Sequence, residues 1–257
     1  MTDHGLFDIH CHLIPGVDDG AQDLEETRRL LRMEYEQGVR NIIATPHYRD
    51  QMFDTPIRTI RSQFAQVEKC VQEFNQELAK EDRMRIYLGC EFHANMQMSR
   101  MLDEGRVSTM ADSGYVLVEF SGNAEYSYIE DRLRSLIIVG YRPIIAHVER
   151  CDNIWGDLEL IRDLAQMGAY MQVNADSILG KSGFYTKRFC RKLMKGDLLH
   201  FVGSDCHDSR YRICRTGEAY RKVASKMGQE YADKIFIENP STIVKNGENR
   251  RKFVKYT

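Results

Sequence analysis

The chain has 257 residues, of which 42% are hydrophobic and 10% aromatic, enough to form a substantial buried core. Its 36 Lys and Arg residues against 38 Asp and Glu leave a formal net charge of −2, which argues against a general polynucleotide binder. The longest purely apolar stretch, Leu136-Ile137-Ile138-Val139, is far shorter than the roughly 20 residues of a membrane-spanning helix, and no export signal is expected. Seven cysteines without a C-x-x-C pair fit a reducing compartment, so a cytoplasmic globular protein is predicted.

Short runs of branched and aromatic residues alternate along the chain with helical patterns of ten to thirty residues, an alternation typical of parallel sheets. The first predicted helix begins after Asp23, whose carboxylate can cap free amides, and ends near Gly38. Seven strands are predicted: Leu6–His10, Asn41–Thr45, Arg85–Gly89, Tyr115–Phe120, Pro143–His147, Tyr170–Asn174 and His200–Gly203.

The second predicted helix carries the clearest periodicity. Thr55 is predicted as its N-cap and Pro56 as its first residue. The apolar positions that follow repeat at three- and four-residue steps and form one stripe, which favours packing on the sheet over a coiled-coil partner site. They are Ile57, Ile60, Phe64, Val67, Val71, Phe74 and Leu78.

No linker, repeat at fixed period or low-complexity segment divides the chain, which favours a single domain over residues 1–257. Seven β-α units suit a closed or nearly closed β/α barrel, and an open doubly wound sheet is the alternative. The last stretch, Lys245 to Thr257, is rich in Lys and Arg. We expect it to be a solvated basic tail, with a surface for an acidic partner as the alternative.

Side chains that can bind metal ions stand at the ends of most predicted strands. His10 and His12 are two residues apart at the end of the first strand, so both point the same way. Strand ends meet at one face of an α/β barrel, and so many groups that are costly to bury unpaired indicate bound cations. A set of imidazole and carboxylate ligands suits Mn, Zn or Fe. The other candidates are Asp18 and Asp19 in a turn and His47, Glu91, Glu119, His147, Asp205 and His207 at strand ends.

Two weaker interpretations apply to the same residues. Any one histidine or carboxylate at a strand end is usually satisfied by a backbone amide. Cys206 and Arg212 have the C-x5-R spacing of cysteine-dependent phosphatases. That spacing lacks glycine in the loop and places Asp205 beside the thiol, which opposes its ionisation, so a thiol mechanism is disfavoured.

The segments DIHCHLIPGVDDGA, IIATPH, VLVEF, PIIAHVER and GSDCH, with Glu91 in its place between them, resemble the PHP (polymerase and histidinol phosphatase) superfamily over nearly the whole chain. The resemblance is strongest to its bacterial capsule and exopolysaccharide tyrosine-phosphatase branch, which Glu119 marks. It implies a distorted TIM-like (β/α)7 barrel with three divalent ions, usually manganese. By position, the resemblance implies that His10, His12, Glu91 and Asp205 hold one ion, Asp19, His47 and His207 a second, and Glu91, Glu119 and His147 the third.

The resemblance further implies that Arg150 binds the substrate phosphate and that the chain is a metal-dependent protein-tyrosine phosphatase. Ions that share a water lower its pKa towards about 7, and hydroxide can then attack phosphorus. Tyr48 and Arg49 are candidate contacts for the phosphotyrosyl segment, with loop packing as the alternative. Asn174 is expected to hydrogen-bond behind the cluster. Action on another monoester such as histidinol phosphate, a nuclease, and a regulatory domain with structural metals stay open as alternatives.

The partner implied by the resemblance is a membrane-associated tyrosine kinase of polysaccharide synthesis, whose phosphotyrosyl tail would be the substrate. That substrate would bring the enzyme near the membrane without a membrane span of its own. No nucleic acid is expected as a partner. The sequence leaves a homo-oligomer open.

Overall fold

A computed structural model describes the backbone of residues 5–254 and the side chains through residue 251. The strands are β1 (Leu6–Cys11), β2 (Val39–Ala44), β3 (His47–Tyr48), β4 (Arg85–Leu88), β5 (Glu91–His93), β6 (Tyr115–Glu119), β7 (Arg142–Ile145), β8 (Tyr170–Asn174) and β9 (Phe201–Gly203). The helices are α1 (Leu24–Glu36), α2 (Ile57–Gln76), α3 (Met98–Asp103), α4 (Tyr126–Ile138), α5 (Leu158–Met167), α6 (Ala175–Leu179), α7 (Phe184–Lys195), α8 (Thr216–Met227), α9 (Gln229–Asp233) and α10 (Asn239–Val254).

All neighbouring strands are parallel, and they form two sheets of order β1-β2-β4 and β3-β5-β6-β7-β8-β9. The second predicted strand continues after a break into β3, and the third continues into β5. The two sheets are therefore joined along the chain at both breaks.

The barrel closes between its first and last strands. The backbones of Cys11 and Cys206 form a parallel β-bridge, and the amide of Asp205 donates to the carbonyl of His10 at 2.7 Å. The carboxylate of Asp8 accepts from the amides of His10 and Ser204, at 3.1 and 3.0 Å, and ties β1 to the end of β9. This closure confirms the predicted distorted TIM-like (β/α)7 barrel.

The helix termini show where local sequence signals hold and where they fail. Asp23 caps α1 as predicted, because its side chain accepts from the Glu26 amide at 2.8 Å. Thr55 is not the N-cap of α2: Pro56 occupies that position, and the Thr55 hydroxyl instead donates to the carbonyl of Val17 at 2.9 Å. A loop 38 residues away therefore competes successfully for the capping hydroxyl. The apolar stripe of α2 packs on the core as predicted, with Ile60, Val67 and Val71 buried.

The basic C-terminal stretch continues helix α10 as far as residue 254 instead of forming an irregular tail, while the side chains of Lys245, Arg250 and Arg251 are exposed to solvent, as predicted. Gly247 of α10 lies so close to the carbonyl of Ala111 that an added Cβ would be 2.0 Å from its oxygen. The Arg250 guanidinium donates to the carbonyl of Ser113 at 2.9 Å, and Arg251 lies 3.7 Å from Asp112. The Lys252 side chain and Lys255 are outside the described residues. Within residues 5–254, no helix combines the length and hydropathy needed to cross a membrane.

A buried group of carboxyls and thiols lies between β1, α1 and the chain after β9. Glu34 of α1 is fully buried, and its oxygens accept from the Cys206 thiol at 3.4 Å and the Cys214 thiol at 3.0 Å. Burial, together with the charge of Asp8, raises the pKa of Glu34 well above its ordinary value. Burial therefore favours the neutral, protonated form of the Glu34 carboxyl in the folded protein.

The raised pKa of Glu34 predicts that stability falls as the pH rises. Above pH 4.5 the unfolded chain releases the Glu34 proton, whereas the folded chain keeps it until its raised pKa is reached. Between these two pKa values the free energy of unfolding should fall by up to about 1.4 kcal/mol per pH unit from this group. We expect Glu34→Gln to remove this contribution to the slope of the free energy of unfolding against pH. Urea unfolding of chelator-treated protein at intervals from pH 4.5 upward measures it. Equal slopes of unfolding free energy against pH for the unchanged chain and the variant would contradict the expectation. The matched control is Glu73→Gln, the same substitution at an exposed carboxylate.

Candidate metal centre

The carboxyl end of β1 places two imidazoles at the centre of the barrel face. The ring centroids of His10 and His12 lie 5.4 Å apart, both side chains are fully buried, and the intervening Cys11 points elsewhere. The Nε2 atoms of the two rings lie 3.1 and 3.2 Å from the same oxygen of Glu91. Both also lie 3.6 Å from Asp205.

Three overlapping groups of ligand-type atoms form around this pair, and the atoms within each group lie within 4.8 Å of one another. The first contains His10, His12, Glu91 and Asp205, the same four residues that the resemblance assigns to one ion. Every member is buried. Residues from β1, β5 and the chain after β9 therefore meet at one point.

The second group contains His12, Asp19, His47 and His207. Asp19 stands in the turn after β1, and its Oδ1 lies 3.5 Å from Nε2 of both His47 and His207. The predicted trio of Asp19, His47 and His207 is thus brought together, and the structure adds His12 as a neighbour of both groups.

The third group contains His47, Glu91 and Glu119. His147 lies beside it, with Nε2 2.8 Å from Glu91 and 3.8 Å from Glu119. His47 Nδ1 lies 3.0 Å from Glu91. Glu91 therefore touches all three groups, which is the position that the resemblance gives to a bridging carboxylate.

Protonation states in the cluster follow from burial and from neighbouring charge. Burial opposes the ionisation of Glu91, but His10 and the other imidazoles around it outweigh burial and hold its pKa well below the ordinary value. The contact with His207 lowers the pKa of Asp19 to about 2, and burial lowers that of His47 to about 4. These carboxylates are thus ionised and His47 is neutral at pH 7, the forms that bind metal ions.

Two further groups differ from this pattern. Burial would lower the pKa of His12, but the hydrogen bond and charge of Asp18 outweigh it and raise the value to about 10. Burial and the charge of Glu91 raise the pKa of Glu119. A cation bound among these residues would favour the deprotonated form of each.

Four buried polar atoms of the cluster have no hydrogen-bond partner, although they lie close together: Nε2 of His10, His12 and His207 and Oε2 of Glu91. Leaving a buried polar atom without a hydrogen bond costs about 1–3 kcal/mol. All four belong to residues of the three groups. The residues present therefore fit divalent cations, since coordination would satisfy these atoms together.

The outer ring nitrogens are held by a second set of contacts that aims Nε2 at the cluster. His12 Nδ1 lies 2.9 Å from Asp18, whose carboxylate also accepts from the His47 and Gly20 amides. His10 Nδ1 lies 3.3 Å from Oε1 of Gln172. Asp18 therefore has an orienting position rather than a place in the three groups.

The polar side chains of β8 support the cluster from below. Asn174 donates to Asp205 at 2.7 Å, as expected of a residue behind the cluster, and it accepts from Gln172. Sequence reasoning missed Gln172. Its position two residues before Asn174, on the same face of one strand, was the available signal.

Backbone geometry at two of these residues is strained. His147 has φ 30° and Asp205 has φ 56°, both in the left-handed region that non-glycine residues seldom adopt. Such strain concentrates at functional sites, where the surrounding structure maintains it. The amides of His147 and Asp205 are each held, by Gln172 and by the His10 carbonyl.

Two arginines stand over the cluster at its open side. Arg150, in a short 3-10 turn after β7, lies 3.0 Å from Asp205 and is half exposed. Arg212 lies 2.9 Å from Asp205 and 3.7 Å from Asp19. Sequence reasoning treated Arg212 only as part of the C-x5-R spacing and missed this position. The loop that returns Arg212 to the cluster is built on Asp208, which accepts from the amides of Arg210, Tyr211 and Arg212.

The remaining predicted contacts lie next to the cluster. Tyr48 is 7% exposed, packs edge-on against Phe92 and donates its hydroxyl to Asp50 at 2.9 Å. Arg49 is half-buried and, after burial, is the main influence that lowers the pKa of His93. A contact of Tyr48 or Arg49 with a substrate stays a prediction.

Cys206 faces away from the cluster. Its thiol is fully buried and directed at Glu34, and the contact with Cys11 together with burial raises its pKa well above the ordinary value. A buried neutral thiol of this kind is a poor nucleophile. The C-x5-R spacing therefore does not form a thiolate site here.

The fold and the site together define a class: a TIM-like α/β barrel with a cluster of histidines and carboxylates suited to metal ions at the carboxyl ends of its strands. Residues 6–245 match the family described as capsular polysaccharide synthesis, CpsB/CapC. The chain belongs to the CpsB/CapC family.

Relatives and solved structures agree with this assignment. The chain is 35% identical over 246 residues to the tyrosine-protein phosphatase CpsB of Streptococcus pneumoniae, covering 93% of this chain and 98% of that protein. It is similar, with a TM-score of 0.85 and 30% identity over 93% of this chain and 94% of the other, to a structure of the YwqE and CpsB pair from Bacillus subtilis and S. pneumoniae, described as metal-dependent tyrosine phosphatases. A phosphotriesterase homology protein from Escherichia coli shares the fold alone, with a TM-score of 0.59 and 15% identity over 95% of this chain and 100% of that one.

Proposed function

We propose that this chain is a metal-dependent protein-tyrosine phosphatase. The observation that carries the proposal is the convergence of orphaned Nε2 and carboxylate atoms beneath two arginines. The similarity to CpsB and YwqE, named as tyrosine phosphatases, supports it. Under this proposal, residues 1–257 act as one metallophosphatase domain.

The proposed ligands all belong to the three groups, except His147, which lies beside the third. One ion is assigned to His10, His12, Glu91 and Asp205, a second to Asp19, His47 and His207, and a third to Glu91, Glu119 and His147. Divalent ions held there would activate water and neutralise the charge of the substrate phosphate. We propose manganese, with iron or zinc as the alternatives that the same donor set accepts.

The chain's own residues then bind and orient the phosphate. Asp205 holds Arg150 and Arg212 at the mouth of the cluster, so both guanidinium groups can donate to phosphoryl oxygens. Asp18 and Gln172 keep His12 and His10 oriented. We propose that Arg49 and Tyr48 contact the peptide around the phosphotyrosine.

Phosphotyrosine suits this site because its leaving group is a phenol. A phenol has a pKa of about 10, so it departs with less proton donation than an alcohol does. In the proposed route activated water attacks the phosphate, and the buried cysteine thiols take no part. The chain therefore needs no phosphorylated side chain as an intermediate.

The proposed physiological substrate is a phosphotyrosyl protein of polysaccharide synthesis, a membrane-associated tyrosine kinase. The family's description as capsular polysaccharide synthesis supports this partner. All seven cysteines are free and buried, which suits the reducing cytoplasm proposed as the location.

The decisive experiment compares substrates on chelator-treated protein reloaded with Mn, Zn or Fe. We expect turnover of a phosphotyrosyl peptide that requires metal and exceeds turnover of histidinol phosphate, a phosphoseryl peptide and single-stranded DNA. Elemental analysis should find three ions per chain. Preference for histidinol phosphate or DNA, or no metal-dependent turnover of any substrate, would refute the proposal.

Replacing Cys206 by serine separates the metal route from a thiol route. We expect Cys206→Ser to keep more than about a third of the turnover of phosphotyrosyl peptide, because the thiol faces Glu34 and not the cluster. Loss of turnover with normal metal content and normal circular dichroism would instead indicate a thiol nucleophile. Cys190→Ser, at a buried thiol of α7, is the matched control for the cost of a buried hydroxyl.

A further inference from the structure

Helix α7 and the loop before it concentrate positive charge in a chain that is slightly acidic overall. Residues 180–196 contain six Lys or Arg residues and no Asp or Glu, whereas the chain has a formal net charge of −2. The inner face of α7 packs on the barrel through Phe189, Cys190, Leu193 and Met194. The cations of this segment are Lys181, Lys187, Arg188, Arg191, Lys192 and Lys195.

The cations of α7 have no carboxylate partner in the part of the chain that the structure describes. The ion pairs nearest in sequence are those of Arg215 with Asp176 and of Lys234 with Asp197, and neither involves α7. Lys187 donates only to the carbonyl of Leu179. Like charges four residues apart on a helix repel each other weakly, and an anionic surface or ligand would relieve that repulsion.

A groove of about 240 Å³ between α7 and α8 gathers part of this charge above an apolar floor. Ile178, Met194, Val223 and Met227 form the floor. The polar lining consists of Lys187, Arg191, Lys195, Lys222 and Lys226. Cations around an apolar floor suit an anionic group attached to a hydrocarbon body.

Exposed aromatic side chains stand at the start of the same helix. Phe184 and Tyr185 are 72% and 71% exposed, and Trp155 of the preceding β7 loop is 39% exposed. Tyr185 and Trp155 line one shallow recess with Arg188 and Lys192. Aromatic residues beside Lys and Arg are typical of segments that lie in the interface of an anionic bilayer.

We propose that α7, with the adjoining groove and Trp155, is a docking surface for an anionic phospholipid membrane. The cations of the helix would contact lipid phosphates, and Phe184 and Tyr185 would enter the interface. α7 follows β8 through α6, so its aromatic end is on the side of the barrel where the metal-binding cluster lies. Docking would therefore hold that cluster near the membrane surface. The proposal does not depend on the phosphatase reaction.

The exposed aromatics favour a membrane over an acidic protein segment. Charge alone would serve either partner, but a soluble acidic segment gives no reason for two neighbouring aromatic rings to be left more than 70% exposed. A bilayer interface accommodates such rings.

Co-sedimentation of the full chain with vesicles tests the proposal. We expect binding to vesicles of 70% phosphatidylcholine and 30% phosphatidylglycerol, little binding to pure phosphatidylcholine, and a fall in binding as NaCl is raised to 500 mM. The triple variant Lys187→Glu, Arg191→Glu and Lys195→Glu should bind at least about tenfold more weakly. Phe184→Ser with Tyr185→Ser should also weaken binding while leaving the charge unchanged.

The matched control reverses three exposed cations of α2 and makes the same change in net charge: Arg58→Glu, Arg61→Glu and Lys69→Glu. It should bind the vesicles as the unchanged chain does. Circular dichroism and aryl phosphate turnover verify that each variant is folded. The proposal is overturned if the unchanged chain does not bind the vesicles, or if the α2 and α7 variants lose vesicle binding equally. It is also overturned if the chain binds polyglutamate but not vesicles and the polyglutamate binding survives the aromatic substitutions.

Discussion

Replacing Glu91 by glutamine is expected to lower the turnover of phosphotyrosyl peptide by at least about a thousandfold. Glu91 belongs to the first and third groups and contacts His12 and His47 of the second: one of its oxygens lies 3.0–3.2 Å from His10, His12 and His47, and the other lies 2.8 Å from His147. Glutamine has nearly the same shape but no charge, so it cannot bridge two cations. Elemental analysis should show fewer than three ions per chain.

The control for this variant is Glu73→Gln, at an exposed carboxylate that pairs with Arg28 on the surface. It should change neither turnover nor metal content, since exposed ion pairs contribute little. Glu91→Gln that retains more than a tenth of the turnover, together with full metal content, would show that Glu91 does not bridge ions in this site.

Removing Arg150 and Arg212 together is the second large expected effect. Each guanidinium can donate charge-assisted hydrogen bonds to the phosphate, and loss of one such contact costs about 1.5–3 kcal/mol, which corresponds to about tenfold to hundredfold in rate. We expect the double alanine variant to lose about a thousandfold in kcat/KM while it keeps its metal content. Steady-state kinetics of the two single variants and the double variant would measure both contributions.

Arg210→Ala is the matched control for the pair, because Arg210 is an exposed arginine of the same loop. It should leave kcat/KM within about twofold of the unchanged chain, and Arg212→Lys should recover part of the loss. If either arginine variant loses its metal ions, the residue acts through Asp205 and not on the phosphate.

The predicted elements were confirmed where local contacts decide the structure. The Asp23 cap and the stripe of α2 depend on residues within a few positions of one another, and both are present. The predicted N-cap at Thr55 was wrong, because its hydroxyl bonds to Val17 instead. The exposed C-terminal stretch is helical and contacts Ala111 to Ser113, which the local preference does not indicate. These partners lie far away in sequence, and no pattern near Thr55 or Gly247 predicts the contacts with them.

The candidate site shows the same division. The alternation of strand residues and the resemblance predict ligand-type residues that the structure brings together, but only coordinates separate Asp18, which orients His12, from Asp19, which faces His47 and His207. Arg212 reaches the cluster through a turn organised by Asp208. Neighbouring residues in a turn point in different directions that composition and spacing do not specify.

The sequence by itself determined the seven β-α units, the residues at the strand ends and the chemical type of the site, because period-two alternation and the placement of polar groups are local properties. The tertiary structure alone decided which atoms meet. His10 and Asp205 are adjacent because the hydrogen bonds to Asp8 and the backbone β-bridge between Cys11 and Cys206 close the barrel. Such closure joins segments nearly 200 residues apart, and its geometry depends on the packing of every intervening unit.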